Sequence, residues 1–336
     1  MTRRLRSSTK SERDAALLKS EVDTEAASAV IEAMVEPVKK KAKIKKENSD
    51  ADGVADSKAP EPIEIPQDFL DKHVDEFKVG LKEILEVDPT LSQYVLIKEF
   101  PLFLKDRPRA DDLHDKFTRL ASAIISQQLS NSAARSIREK FINLYDGHFP
   151  DYKVLKVDIK IPSKHEQIFK CGLSRKKCEY LESLANYFAD NEEYIRNLFQ
   201  DKGNDQKIMD ELVSNVKGIG PWSAKMFLMT GLYRMDVFAP DDVGIARGCA
   251  KYLSQHPDTL KKLMKNRREI KKSKIKHKKL NWKVYDEDIV DSLALLFSPN
   301  RTIFSFIIWR MASTDIDAII KTETDFTSSR GGGSGL

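Results

Sequence analysis

Two adjacent carboxylates, Asp241 and Asp242, follow Pro240 and precede a run of apolar residues at helical spacing that opens at Val243. Proline and acidic residues before such a run have the form of a helix N-terminus, where one carboxylate accepts from unpaired backbone N–H groups. One acid is thereby explained structurally. The second, Asp242, has no such need, and a carboxylate placed at the mouth of a cleft can stabilise a cation that develops during a reaction, such as an oxocarbenium-like sugar.

The element that must accompany it lies upstream. In Leu212-Val-Ser-Asn-Val-Lys217-Gly218-Ile219-Gly220-Pro221-Trp222 a helical stripe ends at Val216, two glycines bracket one apolar residue, and a proline starts a new helical pattern. Gly218 and Gly220 permit positive φ and close backbone approach, Ile219 can tuck between two helices, and Pro221 suits a first helical turn because its missing N–H would be unpaired there anyway. The spacing predicts a tight helix-hairpin-helix. Its second helix starts with unpaired N–H groups facing outward, a site for one phosphate with Lys217 adding charge beside it. An ordinary helical corner would use the same residues.

Phe117, Leu120, Ala121, Ile124 and Ile125 recur at three-and-four spacing, as do Ile208, Leu212 and Val216. Alternation of the strand type is scarce, so the reading is an all-α fold, two helical subdomains with the hairpin and a cleft between them. Residues 67–326 form the folded domain. Residues 1–66 contain no aromatic residue, the first being Phe69, and form a tail that cannot build a core. In that tail, Pro37-Val-Lys-Lys-Lys-Ala-Lys-Ile-Lys-Lys46 is a basic cluster of the kind that nuclear import receptors or nucleic acid bind, or a solvated charge run. The Arg- and Ser-rich opening is a weaker mitochondrial signal, so the nucleus, with the mitochondrion as an addition, is the expected location. Residues 327–336 form a flexible Gly-rich tail.

Lys and Arg total 57 against 52 Asp and Glu, a modest positive balance compatible with a polyanionic partner. Residues 261–279 hold eleven Lys or Arg in nineteen positions, either a solvated excursion or, since the stretch interrupts the folded region and does not trail from an end, a flank that tracks phosphates. Three cysteines without a Cys-x-x-Cys pattern predict free thiols in a reducing compartment and no iron–sulfur cluster. The histidines show no metal-ligand spacing, so no metal and no cofactor are expected. No apolar run reaches the length of a membrane span.

The string Val216-Lys-Gly-Ile-Gly-Pro-Trp-Ser-Ala-Lys-Met-Phe227, followed by Met235-Asp-Val-Phe-Ala-Pro-Asp-Asp242, together with Ile124-Ile-Ser-Gln127-Gln128-Leu-Ser130, closely resembles the fungal 3-methyladenine DNA glycosylases and, less closely, their inducible bacterial relatives. The resemblance spans about Pro66 to Phe326. It implies that Asp242 is the catalytic aspartate, with Asp241 the helix-capping neighbour. Strand-cutting members of this superfamily carry a Schiff-base lysine two residues after the hairpin's second glycine; Trp222 stands there, so a monofunctional glycosylase is implied. Trp222, Met226 and Trp309 are then the base pocket, Met226 replacing a tyrosine of the bacterial relative; core packing is the alternative for both tryptophans. Gln128, or failing it Leu129, is the wedge that fills the gap left by a flipped base, a buried amide or helix cap being the other use of such a glutamine. Lys217, Gly218 and Gly220 would hold a phosphate, and the hairpin carbonyls could hold a monovalent cation. The expected partner is double-stranded DNA containing alkylated purines, met by a monomer that hydrolyses the N-glycosidic bond. The rivals are a non-enzymatic hairpin scaffold on DNA and a glycosylase with lyase activity for oxidised bases.

Overall fold

A computed structural model describes residues 60–107, 112–275 and 280–314. The basic cluster at 37–46, residues 276–279 of the second basic stretch and both predicted tails, apart from 60–66, lie outside the described residues. Among these, the chain is helical, with no strand and one isolated bridge between His73 and Leu104. Among the described residues no helix is long and apolar enough to cross a membrane.

In chain order, α1 (Gln67–Asp71), α2 (Asp75–Val87) and α3 (Ser92–Val95) come first. Then follow α4 (Leu113–Ser126), α5 (Asn131–Asn143), α6 (Tyr152–Asp158), α7 (Pro162–Lys170), α8 (Arg175–Asp190), α9 (Glu192–Gln200), α10 (Asp205–Asn215) and α11 (Pro221–Thr230). The last four are α12 (Val243–Gln255), α13 (Pro257–Lys265), α14 (Glu287–Leu295) and α15 (Arg301–Met311). The most extensive helix packing occurs within two sets, one of α4 to α11 and the other of α2, α3 and α12 to α15.

Helix starts follow local chemistry. Asp112 accepts from the Asp115 N–H, Ser130 from that of Ala133 and Ser174 from that of Lys177, each satisfying a donor at the first turn. The stripe on α4 is buried as its spacing predicts, with Phe117, Leu120, Ala121, Ile124 and Ile125 all out of solvent. Every residue of α15 from Thr302 to Met311 is buried, which makes it the central helix of the second set. Helix α12 lies against it at close range: a Cβ on Gly248 would stand 2.2 Å from the Ile308 carbonyl oxygen. The basic stretch departs from its predicted shape. Its first residues, Lys261 to Lys265, finish α13 with Leu263 buried beneath them.

Candidate active site

The hairpin forms at the predicted residues. Helix α10 ends at Asn215 with Val216 as its C-cap, and α11 begins with Pro221 at its first position. Gly218 has φ +82° and Gly220 has φ −102° and ψ 176°, so only the first glycine uses the left-handed region. A Cβ on Gly218 would meet the Tyr180 ring at 2.2 Å, so this glycine also lets the hairpin sit directly on α8. Ile219 is buried, as expected. At Gly220 the requirement is different: nothing lies within 4 Å of where a Cβ would be, and no side chain caps the start of α11. The helix N-terminus is open to an approaching anion. Lys217 is exposed beside it, its backbone N–H held by the Ser183 hydroxyl at 3.0 Å.

Asp242 corrects the expected division of labour between the two acids. It is Asp242, not Asp241, that caps α12: its Oδ1 accepts from the Ile245 N–H at 2.8 Å. Asp241 instead lies 3.8 Å from the Lys225 ammonium. The reason is register, since an N-cap side chain reaches a donor three residues on, and the first N–H groups left unpaired by a helix starting at Val243 are those facing position 242.

Capping does not use up the carboxylate. Oδ1 also accepts from the Trp309 indole N–H at 2.8 Å, and Oδ2 from that of Trp222 at 2.9 Å. A carboxylate oxygen offers about two lone-pair sites. Oδ1 is therefore filled by Ile245 and Trp309, while Oδ2, with Trp222 on it, keeps one site open on a partly exposed residue. Residues from α11, α12 and α15 thus converge on one carboxylate.

The two tryptophans are not equivalent. Trp222 is 40% exposed. Trp309 is 1% exposed, with Phe306 edge-on at 5.4 Å. Its expected stacking face is not on the surface; packing and the bond to Asp242 are what it supplies here. Met226, one turn after Trp222, is half-buried against the core. Lys225 points to Asp241, which keeps it on the flank of the carboxylate.

Gln128 and Leu129 lie in the short link between α4 and α5. Gln128 is held at φ +58°, and Leu129 is 37% exposed. Two residues that sequence reasoning missed hold this link. Gln127 donates from its amide to the Gly218 carbonyl at 2.8 Å, joining the link to the hairpin. Lys177 donates to the Ile125 and Gln127 carbonyls at 2.7 and 2.8 Å, and burial lowers its pKa. Lysine at a helix C-terminus is a recognisable signal, but here it arrives from α8, 50 residues away from Gln127. Gly244 was also missed. A Cβ there would stand 2.7 Å from Trp309 Cδ1 and 3.1 Å from Asp242 Oδ1. Gly244 and Gly248, four apart inside a helical run, were the available sign of a close packing partner.

Among the described residues no group of three or more His, Cys, Asp or Glu side chains could hold a metal ion. All three cysteines are free and buried.

Residues 121–273 match the HhH-GPD superfamily of base excision DNA repair proteins. The chain is 52% identical over 270 residues to the DNA-3-methyladenine glycosylase of Saccharomyces cerevisiae, a match covering 80% of this chain and 91% of that protein. It is 30% identical over 155 residues to DNA-3-methyladenine glycosylase 1 of Schizosaccharomyces pombe, covering 44% of this chain and 62% of that one. The crystal structure of a DNA-3-methyladenine glycosidase from Bacillus halodurans has a similar fold, with a TM-score of 0.50 at 23% identity, covering 74% of this chain and 95% of that chain.

Proposed function

The chain belongs to the helix-hairpin-helix family of DNA-3-methyladenine glycosylases, and we propose that it removes alkylated purines from double-stranded DNA by hydrolysis of the N-glycosidic bond, without cutting the strand. The observation that carries this reading is the Asp242 carboxylate, fixed by three N–H donors and beside a hairpin whose Schiff-base position is Trp222.

A purine methylated at N3 or N7 carries positive charge, so its bond to the sugar is already weakened and no strong acid is needed to help it leave. The remaining demand is electrostatic. As the bond lengthens the sugar becomes cationic, and a fixed carboxylate stabilises that charge without reorganising at the moment of reaction. Oδ2, with its open lone-pair site, is the oxygen placed for it. Water then adds to the sugar and leaves an abasic site.

Access requires the nucleotide to leave the stack. The exposed ring of Trp222 suits an electron-poor, cationic base, with Met226 a polarisable neighbour that adapts to shape. Gln128 or Leu129 would fill the gap in the duplex, on a link braced by Gln127 and Lys177. The open start of α11, with Lys217 beside it, would hold one backbone phosphate without regard to sequence.

The test is release of 3-methyladenine and 7-methylguanine from methylated duplex DNA, run beside borohydride trapping on the same substrate. Free base with an intact strand and no trapped adduct is the expected result. A borohydride-stable cross-link would assign a lysine nucleophile and overturn the monofunctional reading. DNA binding with no base release would leave a scaffold.

A further inference from the structure

Residues 266–275 form a strap between α13 and α14, and its cations divide into two groups. The inward group is pinned. Arg267 donates to both oxygens of Asp288, at 2.6 and 2.9 Å, and to Asp286 at 2.6 Å. The Lys271 N–H donates to Asp288 at 2.9 Å, the Glu287 N–H returns to the Lys271 carbonyl at 2.8 Å, and the Lys271 ammonium stands 3.1 Å from the Glu287 carboxylate. Glu287 is buried, and so is Ile275 at the end of the strap. Charge-assisted bonds of this number to a single helix start fix the conformation of the segment, which a merely solvated excursion would not require.

The outward group is free to act elsewhere. Arg268 and Lys272 are exposed and make no ion pair among the described residues, while Lys274 is exposed with only a long contact to Glu287, at 3.9 Å. Exposed like charges held close together cost repulsion unless a polyanion meets them.

The strap also has a definite place. Helix α12 follows Asp242 and runs for 13 residues, and α13, which precedes the strap, and α14, which receives it, both pack against it. The Lys271 ammonium is held above its usual pKa chiefly by Glu287, with Asp291 and Asp241 also acting on it. Burial raises the pKa of Asp291 against the opposing charges of Lys271 and Lys225. Lys271 and Lys225 thus act on the same carboxylate, Asp291, and Lys225 stands 3.8 Å from Asp241 in the loop that ends in Asp242. The hairpin, with Lys217 and Gly220, reaches Asp242 through Trp222 on α11; the strap is tied to the start of α14 through Asp286, Glu287 and Asp288.

We propose that the strap, seated on the start of α14, is a second DNA-backbone surface whose outward cations Arg268, Lys272 and Lys274 track phosphates beyond those held by the hairpin. The proposal rests on the reading of the chain as a glycosylase acting on duplex DNA, and base release by the wild type tests that reading separately. A phosphate contact contributes about 0.9 to the slope of log affinity against log salt concentration on duplex DNA.

The experiment measures binding of an abasic-site duplex across a salt series for the wild type, Arg268→Gln/Lys272→Gln, the same pair with Lys274→Gln added, and Lys82→Gln on α2 as an exposed control. The expected result is a slope shallower by about 2 in the double variant, and by somewhat more in the triple, on the same per-phosphate relation, with Lys82→Gln unchanged. The double variant removes no ion pair, so a change in its melting temperature is not expected. Base release at saturating enzyme should persist in both. Unchanged slopes in folded double and triple variants, with Lys217→Gln still lowering the slope, would overturn the proposal and leave the strap a solvated surface.

Discussion

Replacing Asp242 with asparagine separates its two duties, because asparagine caps a helix as well as aspartate does. The structure fixes how the amide must sit. Its oxygen takes the place of Oδ1, where the buried Ile245 N–H and Trp309 indole both require an acceptor at 2.8 Å. Its NH2 then faces the Trp222 indole N–H, formerly a 2.9 Å bond to Oδ2, and two donors oppose each other. Trp222 is exposed enough to turn toward water, so the cost to stability stays near 1 kcal/mol, the net worth of one hydrogen bond. The cost to catalysis is larger. Unit charges about 4 Å apart at an effective dielectric of about 20 interact by about 4 kcal/mol, and losing that from the transition state slows the reaction on the order of 10³-fold. The assay is single-turnover base release from methylated duplex, with enzyme in excess at several concentrations so that the chemical step and binding separate. Binding to an abasic-site duplex should hold or tighten, since a negative charge facing phosphates has been removed. A folded Asp242→Asn protein that releases base within about tenfold of wild type would refute the electrostatic argument, a drop well short of the about 10³-fold worked above.

Trp309→Phe deletes one donor to Oδ1 and keeps most of the packing; single-turnover release should fall about 10- to 100-fold, the worth of a hydrogen bond to a charged group, with a modest loss of melting temperature. Gly248→Ala drives a methyl group into the Ile308 carbonyl and should destabilise by about 1–3 kcal/mol in denaturant titration, as overpacking does. Away from the site, His256 lies 3.1 Å from the buried Asp88. Burial works against the charged forms, yet the mutual hydrogen bond raises the His256 pKa and lowers that of Asp88. A raised histidine contributes stability that is full below its unfolded value near 6.5 and is lost as pH rises through the folded value; a lowered aspartate contributes above its unfolded value near 3.8 and is lost as pH falls through the folded value. The stability gap between wild type and His256→Gln should therefore be widest between about pH 4 and 6.5 and narrow toward pH 8. Chemical denaturation across that range checks it, and a gap that widens toward pH 8 would contradict the sign.

The hairpin was legible because its signals are local. Pro221 and Gly218 state their backbone geometry within a few residues, and the stripe on α4 states its buried face by spacing alone. The partition between Asp241 and Asp242 was not legible, since either acid could cap a helix whose first residue was uncertain by one. Between the two uses offered for Trp309, pocket face or core packing, the spacing could not choose for a related reason. A tryptophan in an apolar helix reads as a large face, and only the approach of α12, made possible by Gly244 and Gly248, shows that its edge and not its face meets the carboxylate. The bonds that matter at the site span 20 residues from Trp222 and 67 from Trp309 to Asp242, distances over which spacing carries no register. One acid, one duty was the wrong economy. A capping aspartate is already fixed in direction and already surrounded by N–H dipoles, so the conditions for electrostatic preorganisation are met by the same bonds that start the helix. Oδ1 is committed to the fold and Oδ2 is left for the chemistry, and that division exists only once three helices have packed.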